Sequence, residues 1–571
     1  MSRPLDRLRS SRSARARSSK YRLPKASQER AAPRRTGPAS ALQLLLIWAF
    51  VSAVLVFAHA SLLRLPYYWD EAGYYIPAAY DFFRTGTLIP FSTLTNAHPP
   101  GLSLYLAAAW KLFGFAPLVT RVAMCLAAAT ALVAVYRIVL DALESHTAAA
   151  AVTLLTAAYP VWFTQSSLAH ADTLAAAATL WGLRFACSGA ASQRSVRSIR
   201  RSVWAAALCF TLAGLTKEIA IGTPLALASW ELIGLLRRSV RSRPLVWPRI
   251  ERAFALMTPV LPLATWFAYH RWRTGFMFGN PEYLRYNASA TLSGTRILLA
   301  LAHRVLHLTA HLNLFVPVAV ALGSLLLPVL PMRGRLHRDL LLQLWVVIVA
   351  NALLFSVLGG ALLTRYLLPV YPLVLLLAFS AVYARFRHWA WFVVLGTAAF
   401  VGGLMLPPPY RVAPEDTLSY RDAIVLEQEA IAVVETSYPH STVLSAWPVT
   451  DGLRKPELGY VHAPVAVVPI DNFSLPALQA LVVAGPRGER QSYSTAIVFS
   501  TKYAPPGLSL SLGRWGEQQE ERYFALHHDL DAQSVAQLLG GSVVWQQHRG
   551  GLWASVLRFD HPQLTRLAPL L

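Results

Sequence analysis

Apolar segments long enough to cross a bilayer follow one another from residue 41 to about Leu406. A membrane-spanning helix needs about 20 predominantly apolar residues. The composition agrees, because 55% of the 571 residues are hydrophobic and only 14% are charged. The sequence therefore predicts an α-helical polytopic membrane protein. We interpret the net charge of +23 as membrane topology rather than nucleic-acid binding, because its arginine clusters fall between the apolar segments.

We place eleven helices in these segments, near residues 41–65, 117–140, 147–165, 168–187, 203–217, 219–236, 252–270, 308–330, 340–358, 366–384 and 389–406. With the N-terminus in the cytoplasm, basic connections mark the cytoplasmic side. After a weak first one, the expected cytoplasmic connections carry Arg194, Arg197, Arg200, Arg201, Arg237, Arg238, Arg241, Arg243, Arg333, Arg335, Arg338, Arg385 and Arg387. The 271–294 region breaks the pattern, since it is basic on the outer side. The odd number of spans predicts an outer C-terminal region.

The chain divides into three parts. Residues 1–40 are rich in Arg and Lys with almost no acid, which predicts a disordered basic cytoplasmic tail that can also bind anionic membrane lipids. Residues 41–406 form the transmembrane domain, with a long first outer loop at 66–116. Residues 407–571 begin with three prolines and then alternate helix-like and β-rich segments, which predicts an extracytoplasmic α/β domain. The predicted location is the inner (plasma) membrane.

Short elements are predicted outside the spans. In the first outer loop, a surface helix covers Ile76 to Arg84, and a second apolar helix covers Leu102 to Phe113. In the C-terminal region, helices are predicted at residues 420–435, 475–483 and 532–539. Strands are predicted there at residues 442–445, 465–470, 495–500, 542–546 and 553–559.

Two adjacent acids, Asp70 and Glu71, come directly after the first apolar segment, among aromatic residues. Carboxylates near lipid are costly, so their presence indicates function. The simpler alternative is a solvated acidic loop. A carboxylate at this place can accept a proton from a hydroxyl or bind a cation.

Further polar residues fall at the predicted outer ends of helices, and they are His98, His170, Asp172, Lys217, Glu218 and Arg365. Because all of these residues are predicted on the same side of the membrane, one shared pocket is the simplest explanation. The two histidines could contact phosphate or a metal ion. Lys217 could bind an anion or be neutralised by Glu218, and Arg365 could bind a phosphate or only reach the membrane surface. Taken singly, each residue has a purely structural alternative.

The motifs together resemble the C-type glycosyltransferases of the protein mannosyltransferase and aminoarabinose transferase kind. The resemblance covers about residues 41–406. Its motifs are Trp69-Asp70-Glu71-Ala72, His98-Pro99-Pro100, Asp172 at the start of the fourth span, Gly214-Leu215-Thr216-Lys217, and Arg365-Tyr366-Leu367-Leu368-Pro369. No single motif is specific, but their order and spacing are.

The resemblance implies transfer of a sugar, with inversion, from a polyprenyl-phosphate donor to a lipid, glycan or protein acceptor. It implies Asp70 as the general base and Glu71 as a group that places the acceptor or an ion. Lys217 and Arg365 would hold the lipid phosphate, with His98, His170, Asp172 and Tyr366 as further substrate-binding residues. This chain has Ala97-His98-Pro99-Pro100 where some relatives have Glu-Lys-Pro-Pro, which leaves a divalent metal as an open question.

Two alternatives remain from the sequence. A lipid or solute transporter, or a flippase, would also carry charges near the membrane, but such proteins usually show paired repeats. No matching halves are visible in the sequence. The second alternative is a scaffold with an inactive membrane core, whose outer domain binds a partner in the cell envelope. The sequence defines neither the sugar nor the acceptor.

Overall fold

The computed structural model describes residues 41–96, 98–187, 196–236, 246–281, 293–331, 333–358, 362–483, 490–505, 513–524 and 526–566. The basic tail predicted for residues 1–40 and the basic connection at residues 237–245 lie outside these ranges. Residues 39–571 form one compact unit.

The first eleven helices in the described residues are α1 (Ala41–Ala58), α2 (Ile76–Thr85), α3 (Gly101–Phe113), α4 (Pro117–Leu143), α5 (His146–Ala158), α6 (Pro160–Gln165), α7 (Ala171–Cys187), α8 (Val196–Gly214), α9 (Gly222–Leu236), α10 (Val246–Met257) and α11 (Val260–Thr274). The next five are α12 (Gly294–Thr309), α13 (Phe315–Ser324), α14 (Arg338–Val357), α15 (Tyr371–Tyr383) and α16 (Ala390–Met405). Short 3₁₀ turns at Glu218–Ile221 and Thr364–Leu367 precede α9 and α15.

Three of the helices predicted to be continuous are broken. The predicted 147–165 helix divides at Tyr159, and the 252–270 helix divides into α10 and α11 around Pro259. The predicted 308–330 helix begins instead at Gly294 and bends by 99° between α12 and α13. Leu312 has φ 46° at this bend. A proline cannot donate the intrahelical hydrogen bond, which explains the first two breaks.

Four described segments are long and apolar enough to cross a membrane, namely α1, α4, α14 and the segment Glu218–Leu236 that contains α9. The bent pair of α12 and α13 makes a fifth if it counts as one span. Four shorter apolar helices accompany them: α3, α5, α15 and α16. Apolar side chains such as Phe50 and Phe57 project from α1 with 69% and 84% exposure, as expected of a lipid-facing helix. The number of eleven spans stays a prediction.

Helix α4 lies at the centre of the helical part. It packs against α1, α3, α5 and α7, and most of its side chains are buried. Many of these are alanines, and small residues let neighbouring helices approach closely. The long central helix therefore supports both the first outer loop and α7, which carry predicted site residues.

A mixed five-stranded sheet forms the core of the region after residue 407. Its strands are β1 (Val443–Ala446), β2 (Val467–Ile470), β3 (Arg490–Phe499), β4 (Ser542–Arg549) and β5 (Leu552–Arg566), in the order β2-β1-β3-β5-β4. β1 runs parallel to β2 and β3, with Val443 opposite Val467 and Thr495, whereas β5 is antiparallel to β3 and β4. The helices are α17 (Ser419–Ser437), α18 (Val449–Arg454), α19 (Leu475–Val483), α20 (Gly513–Phe524) and α21 (Ala532–Leu539).

The sheet region packs directly onto the first outer loop. Lys455 Nζ donates a hydrogen bond to the carbonyl of Ser92 at 3.1 Å. The Tyr460 hydroxyl donates to the carbonyl of Tyr67 at 3.1 Å, and the Tyr67 amide donates to the carbonyl of Leu458 at 3.2 Å. These contacts place residues of the C-terminal region next to the acid pair predicted from the sequence.

Candidate active site

Asp70 lies on a strained turn between α1 and α2. Trp69 before it has φ 47°, a left-handed conformation that costs a non-glycine residue about 1–3 kcal/mol. The following residues, Glu71–Tyr75, form one π-helical turn, a feature frequent at functional sites. The Gly73 amide donates to the Trp69 carbonyl at 2.9 Å and fixes the turn. The chain thus holds Asp70 in a defined position outside a regular helix.

Arg365 is the centre of a buried ion cluster. Its Nη1 lies 2.5 Å from both carboxylate oxygens of Glu415, and its Nη2 donates to Asp70. Its Nε lies 3.4 Å from the Asp172 carboxylate. The guanidinium, with 2% of its side chain exposed, therefore faces three carboxylates from three distant parts of the chain.

Lys217 forms the second half of the cluster. Its Nζ lies 2.6 Å from both oxygens of Asp172 and 4.4 Å from the centre of the Tyr366 ring. Asp172 begins α7, and Lys217 lies where α8 ends. The shared carboxylate of Asp172 therefore joins Lys217 to Arg365. The structure brings together four of the predicted site residues, namely Asp70, Asp172, Lys217 and Arg365.

A cavity of about 450 Å³, partly open to solvent, adjoins this cluster. Its lining residues are Tyr68, Trp69, Asp70, Tyr74, Tyr75, His98, Leu363, Arg365, Tyr366, Val412, Ala413, Pro414, Glu415, Thr501 and Lys502. The Asp70 side chain is 21% exposed, whereas those of Glu415 and Asp172 are 5% and 3% exposed. Of the three carboxylates on Arg365, Asp70 is therefore the most accessible to a molecule in the cavity.

A second, much smaller space of about 20 Å³ also adjoins the cluster. It is lined by Asp172, Ala175, Ala176, Thr179, Lys217, Ile219, Ala220, Thr223, Asn351, Phe355, Arg365, Tyr366 and Pro369. Arg365 and Tyr366 line both cavities, so the two spaces meet at this pair of side chains. This space has room for about one water molecule.

Glu71 does not face the cavity, although it follows Asp70 directly. Its side chain is fully buried, and its two oxygens lie 3.2 and 3.1 Å from Nη1 and Nη2 of Arg121. The amides of Tyr68 and Ala169 also donate to it, at 2.9 and 2.6 Å. Successive residues of a helical turn point in different directions, so the expected shared site of the two acids is not formed. Glu71 holds the loop against α4 instead.

The two predicted histidines occupy different places. His98 lines the larger cavity, stacks on the Tyr75 ring at 5.8 Å, and its Nδ1 lies 2.9 Å from Glu218. His170 is fully buried behind the cluster, with Nδ1 2.7 Å from the Gln165 side chain and Nε2 4.0 Å from Glu415. His98 can meet a ligand directly, whereas His170 supports the cluster from behind.

The carboxylates of the cluster are not arranged as ligands of a metal ion. In the part of the chain that the structure describes, no three His, Cys, Asp or Glu side chains are arranged to hold one. The carboxylates of Asp70, Asp172 and Glu415 instead surround Arg365, whose guanidinium takes the place a cation would need.

Two buried charged residues of this region, Glu415 and Arg121, are not among the predicted site residues. Glu415 was assigned to the separate C-terminal region, yet it is bound to Arg365. Burial raises the pKa of Glu415 to about 8, against the opposing pull of the Arg365 guanidinium. Arg121, in the first turns of α4, carried a usable signal, because a buried charge in an apolar helix demands a partner. No comparable signal marks Glu415.

Comparisons with known proteins show which family and which fold the chain is similar to. The family model described as dolichyl-phosphate-mannose-protein mannosyltransferase matches residues 97–266. No curated protein sequence matches the chain.

Among solved structures, ArnT from Cupriavidus metallidurans bound to undecaprenyl phosphate is similar over 90% of this chain and 98% of that chain. The TM-score is 0.53 and the identity 15%. The apo state of ArnT gives 0.50 over 91% and 98%, also at 15% identity. The oligosaccharyltransferase of Archaeoglobus fulgidus, in complex with Zn and sulfate, has a TM-score of 0.45 at 12% identity over 80% and 67%.

Residues 97–266 therefore match a glycosyltransferase family model, and the chain shares its fold with ArnT. The C-type glycosyltransferase resemblance predicted from its motifs is confirmed by the family match and by the fold shared with ArnT.

Proposed function

We propose that the enzyme transfers a sugar from a polyprenyl-phosphate donor to a hydroxyl group of an envelope lipid, glycan or protein. Transfer takes place at the outer face of the inner membrane, with inversion at the anomeric carbon. The observation that carries this proposal is the position of Asp70, the accessible carboxylate of a buried ion cluster at the wall of a large cavity.

The proposed transfer is one displacement. The acceptor oxygen forms a bond to the anomeric carbon while the bond from that carbon to the phosphate oxygen breaks. The electron pair of the broken bond leaves with the phosphate, and the acceptor proton goes to the Asp70 carboxylate. A hydroxyl is a poor nucleophile, so a positioned base typically contributes about 10²–10⁴ in rate.

The phosphate that leaves develops negative charge, and fixed cations stabilise such charge. Lys217 and Arg365 are the cations of the cluster, and Arg365 lines both cavities. ArnT, which shares the fold, is known bound to undecaprenyl phosphate. In the proposed complex the phosphate lies near Arg365, Lys217 and Tyr366. The sugar and the acceptor occupy the larger cavity beside Asp70 and His98.

The test is sugar transfer by Asp70→Asn in purified protein reconstituted in lipid. Asparagine keeps the shape and can still accept the hydrogen bond from Arg365, but it cannot take the proton. We expect turnover to fall by about 10²–10⁴, while binding of polyprenyl phosphate persists. Asp422→Asn is the matched control, since Asp422 pairs with its neighbour Arg421 and does not line the cavity. Near-normal turnover of Asp70→Asn would refute the assignment of the base.

A further inference from the structure

Carboxylates bind both Nη atoms of Arg365, while its Nε has no hydrogen-bond partner in the described residues. Glu415 occupies Nη1 with both oxygens, Asp70 occupies Nη2, and Asp172 faces Nε. Lys217 is likewise engaged by both oxygens of Asp172. A ligand phosphate that binds Nη1 of Arg365 must therefore displace Glu415.

The charge balance of the cluster points the same way. Its members in the described residues are three carboxylates and two cations, so full ionisation leaves it one negative charge in excess. A phosphate would add further negative charge in a buried place, where like charges repel strongly. Binding is therefore favoured by the loss of one carboxylate charge.

Of the three carboxylates around Arg365, Glu415 is the one that can most easily move away from the guanidinium. Asp172 is held by Lys217 as well as Arg365, and Asp70 must stay ionised to act as the base. Glu415 belongs to a short turn, Pro414–Asp416, rather than to a long helix. Its carbonyl accepts a hydrogen bond from Thr164 Oγ1 at 2.6 Å, so the backbone stays anchored while the side chain rotates.

We propose that Glu415 is a proton-coupled gate on the donor site: it binds Arg365 in the free enzyme, takes up a proton, and yields the guanidinium to the donor phosphate. This inference rests on the proposed function and adds the group that controls donor binding. The charged and titratable groups that face Glu415 are Arg365, Asp70, Asp172, Asp416, His170 and Tyr68. Asp416 has partners of its own, His311 and Thr364.

The sign of the pH dependence follows from the pKa of Glu415, which burial raises to about 8. Below this pH the gate is mostly protonated and the donor site is available. Above it, the ionised carboxylate competes with phosphate. If only the protonated form binds, the apparent dissociation constant rises about tenfold between pH 7 and pH 9.

The experiment measures binding of polyprenyl phosphate to the full chain in lipid nanodiscs from pH 7 to pH 9. A phosphate monoester has its second pKa near about 6, so the ligand charge stays nearly constant in this range. We expect wild-type affinity to fall about tenfold, and Glu415→Gln to bind with nearly constant affinity. The variant should match the wild type at pH 7 and bind about tenfold more tightly at pH 9.

Glu427→Gln is the matched control. Glu427 is a second buried carboxyl of the same region, and burial raises its pKa to about 8 as well, but its hydrogen-bond partner is Tyr460. This variant should keep the wild-type pH dependence. If the affinity of Glu415→Gln still depends on pH, another group causes the pH dependence, and the proposal that Glu415 controls donor binding is wrong. Wild-type binding that is tight and independent of pH would also overturn it. If no protein binds the lipid at any pH, the proposed donor is wrong instead.

Discussion

Trp447 of the C-terminal region packs against the strained turn that carries Asp70, and Gly73→Ala tests this contact. A β-carbon at Gly73 would lie 2.6 Å from Cζ2 and 2.9 Å from Nε1 of Trp447. Ordinary contacts between carbon atoms are about 3.5–4.0 Å, so either the ring or the turn must move. The indole also packs edge-on against Trp69 with centroids 4.9 Å apart, so it is not free to retreat.

The expected loss of activity follows from how closely the added β-carbon would approach Trp447. Overpacking by one methyl group typically costs about 1–3 kcal/mol, and a shift of about 1 Å at a reacting group can cost about 10²-fold in rate. We therefore expect Gly73→Ala to lower sugar transfer at least about tenfold, measured in lipid-reconstituted protein. Trp447→Ala in the same chain removes the clash, and the double variant should recover activity relative to Gly73→Ala. The coupling between such neighbours is typically about 0.5–3 kcal/mol.

The control for this cycle is Gly402→Ala on α16, where an added β-carbon meets no atom within 4 Å in the described structure. Its activity should stay near that of the wild type. Activity of Gly73→Ala within twofold of wild type would refute the reasoning, as would a double variant no better than Gly73→Ala. Either result would mean that the turn does not depend on Trp447.

Two further predictions follow from other parts of the structure. Glu71→Gln leaves the Arg121 charge uncompensated in the interior, so thermal unfolding should show a loss of about 3–5 kcal/mol, and Glu71→Gln with Arg121→Met should lose less than the sum. If Glu71→Gln instead loses sugar transfer while its thermal stability is unchanged, Glu71 acts on the substrate. A topology reporter fused after Tyr410 should be active only on the outer side, and cytoplasmic activity would change the eleven-span prediction by one.

Local patterns predicted the short elements well. The helices expected at Leu475 to Val483 and Ala532 to Leu539 are observed with these bounds. The surface helix expected at Ile76 to Arg84 extends to Thr85, and Gly86 with φ 74° ends it. Such signals are carried by neighbouring residues, so the sequence contains them. The bend at Leu312 was missed, since no proline or glycine lies at the bend itself.

The site was predicted only where charge in an apolar context marked it. Asp70, Lys217 and Arg365 were found because a charge near lipid indicates function. Glu415 was missed because its contact with Arg365 spans 50 residues and joins two predicted domains. Glu71 follows Asp70 in the sequence, but the two side chains point in different directions around the helical turn and bind different arginines. Adjacency in sequence gives proximity of the backbone, whereas the target of a side chain depends on tertiary packing.

The C-terminal region contributes to the site in two physically different ways. Trp447 packs on Gly73 without charge, and Glu415 binds Arg365 through charge. A change of pH acts on the second contact and not on the first. Loss of Trp447 should therefore lower transfer by a similar factor at every pH, whereas loss of Glu415 should alter the shape of the pH profile. Deleting the whole region would remove both contacts together, so only the two point variants can separate placement of the base from access to the phosphate site.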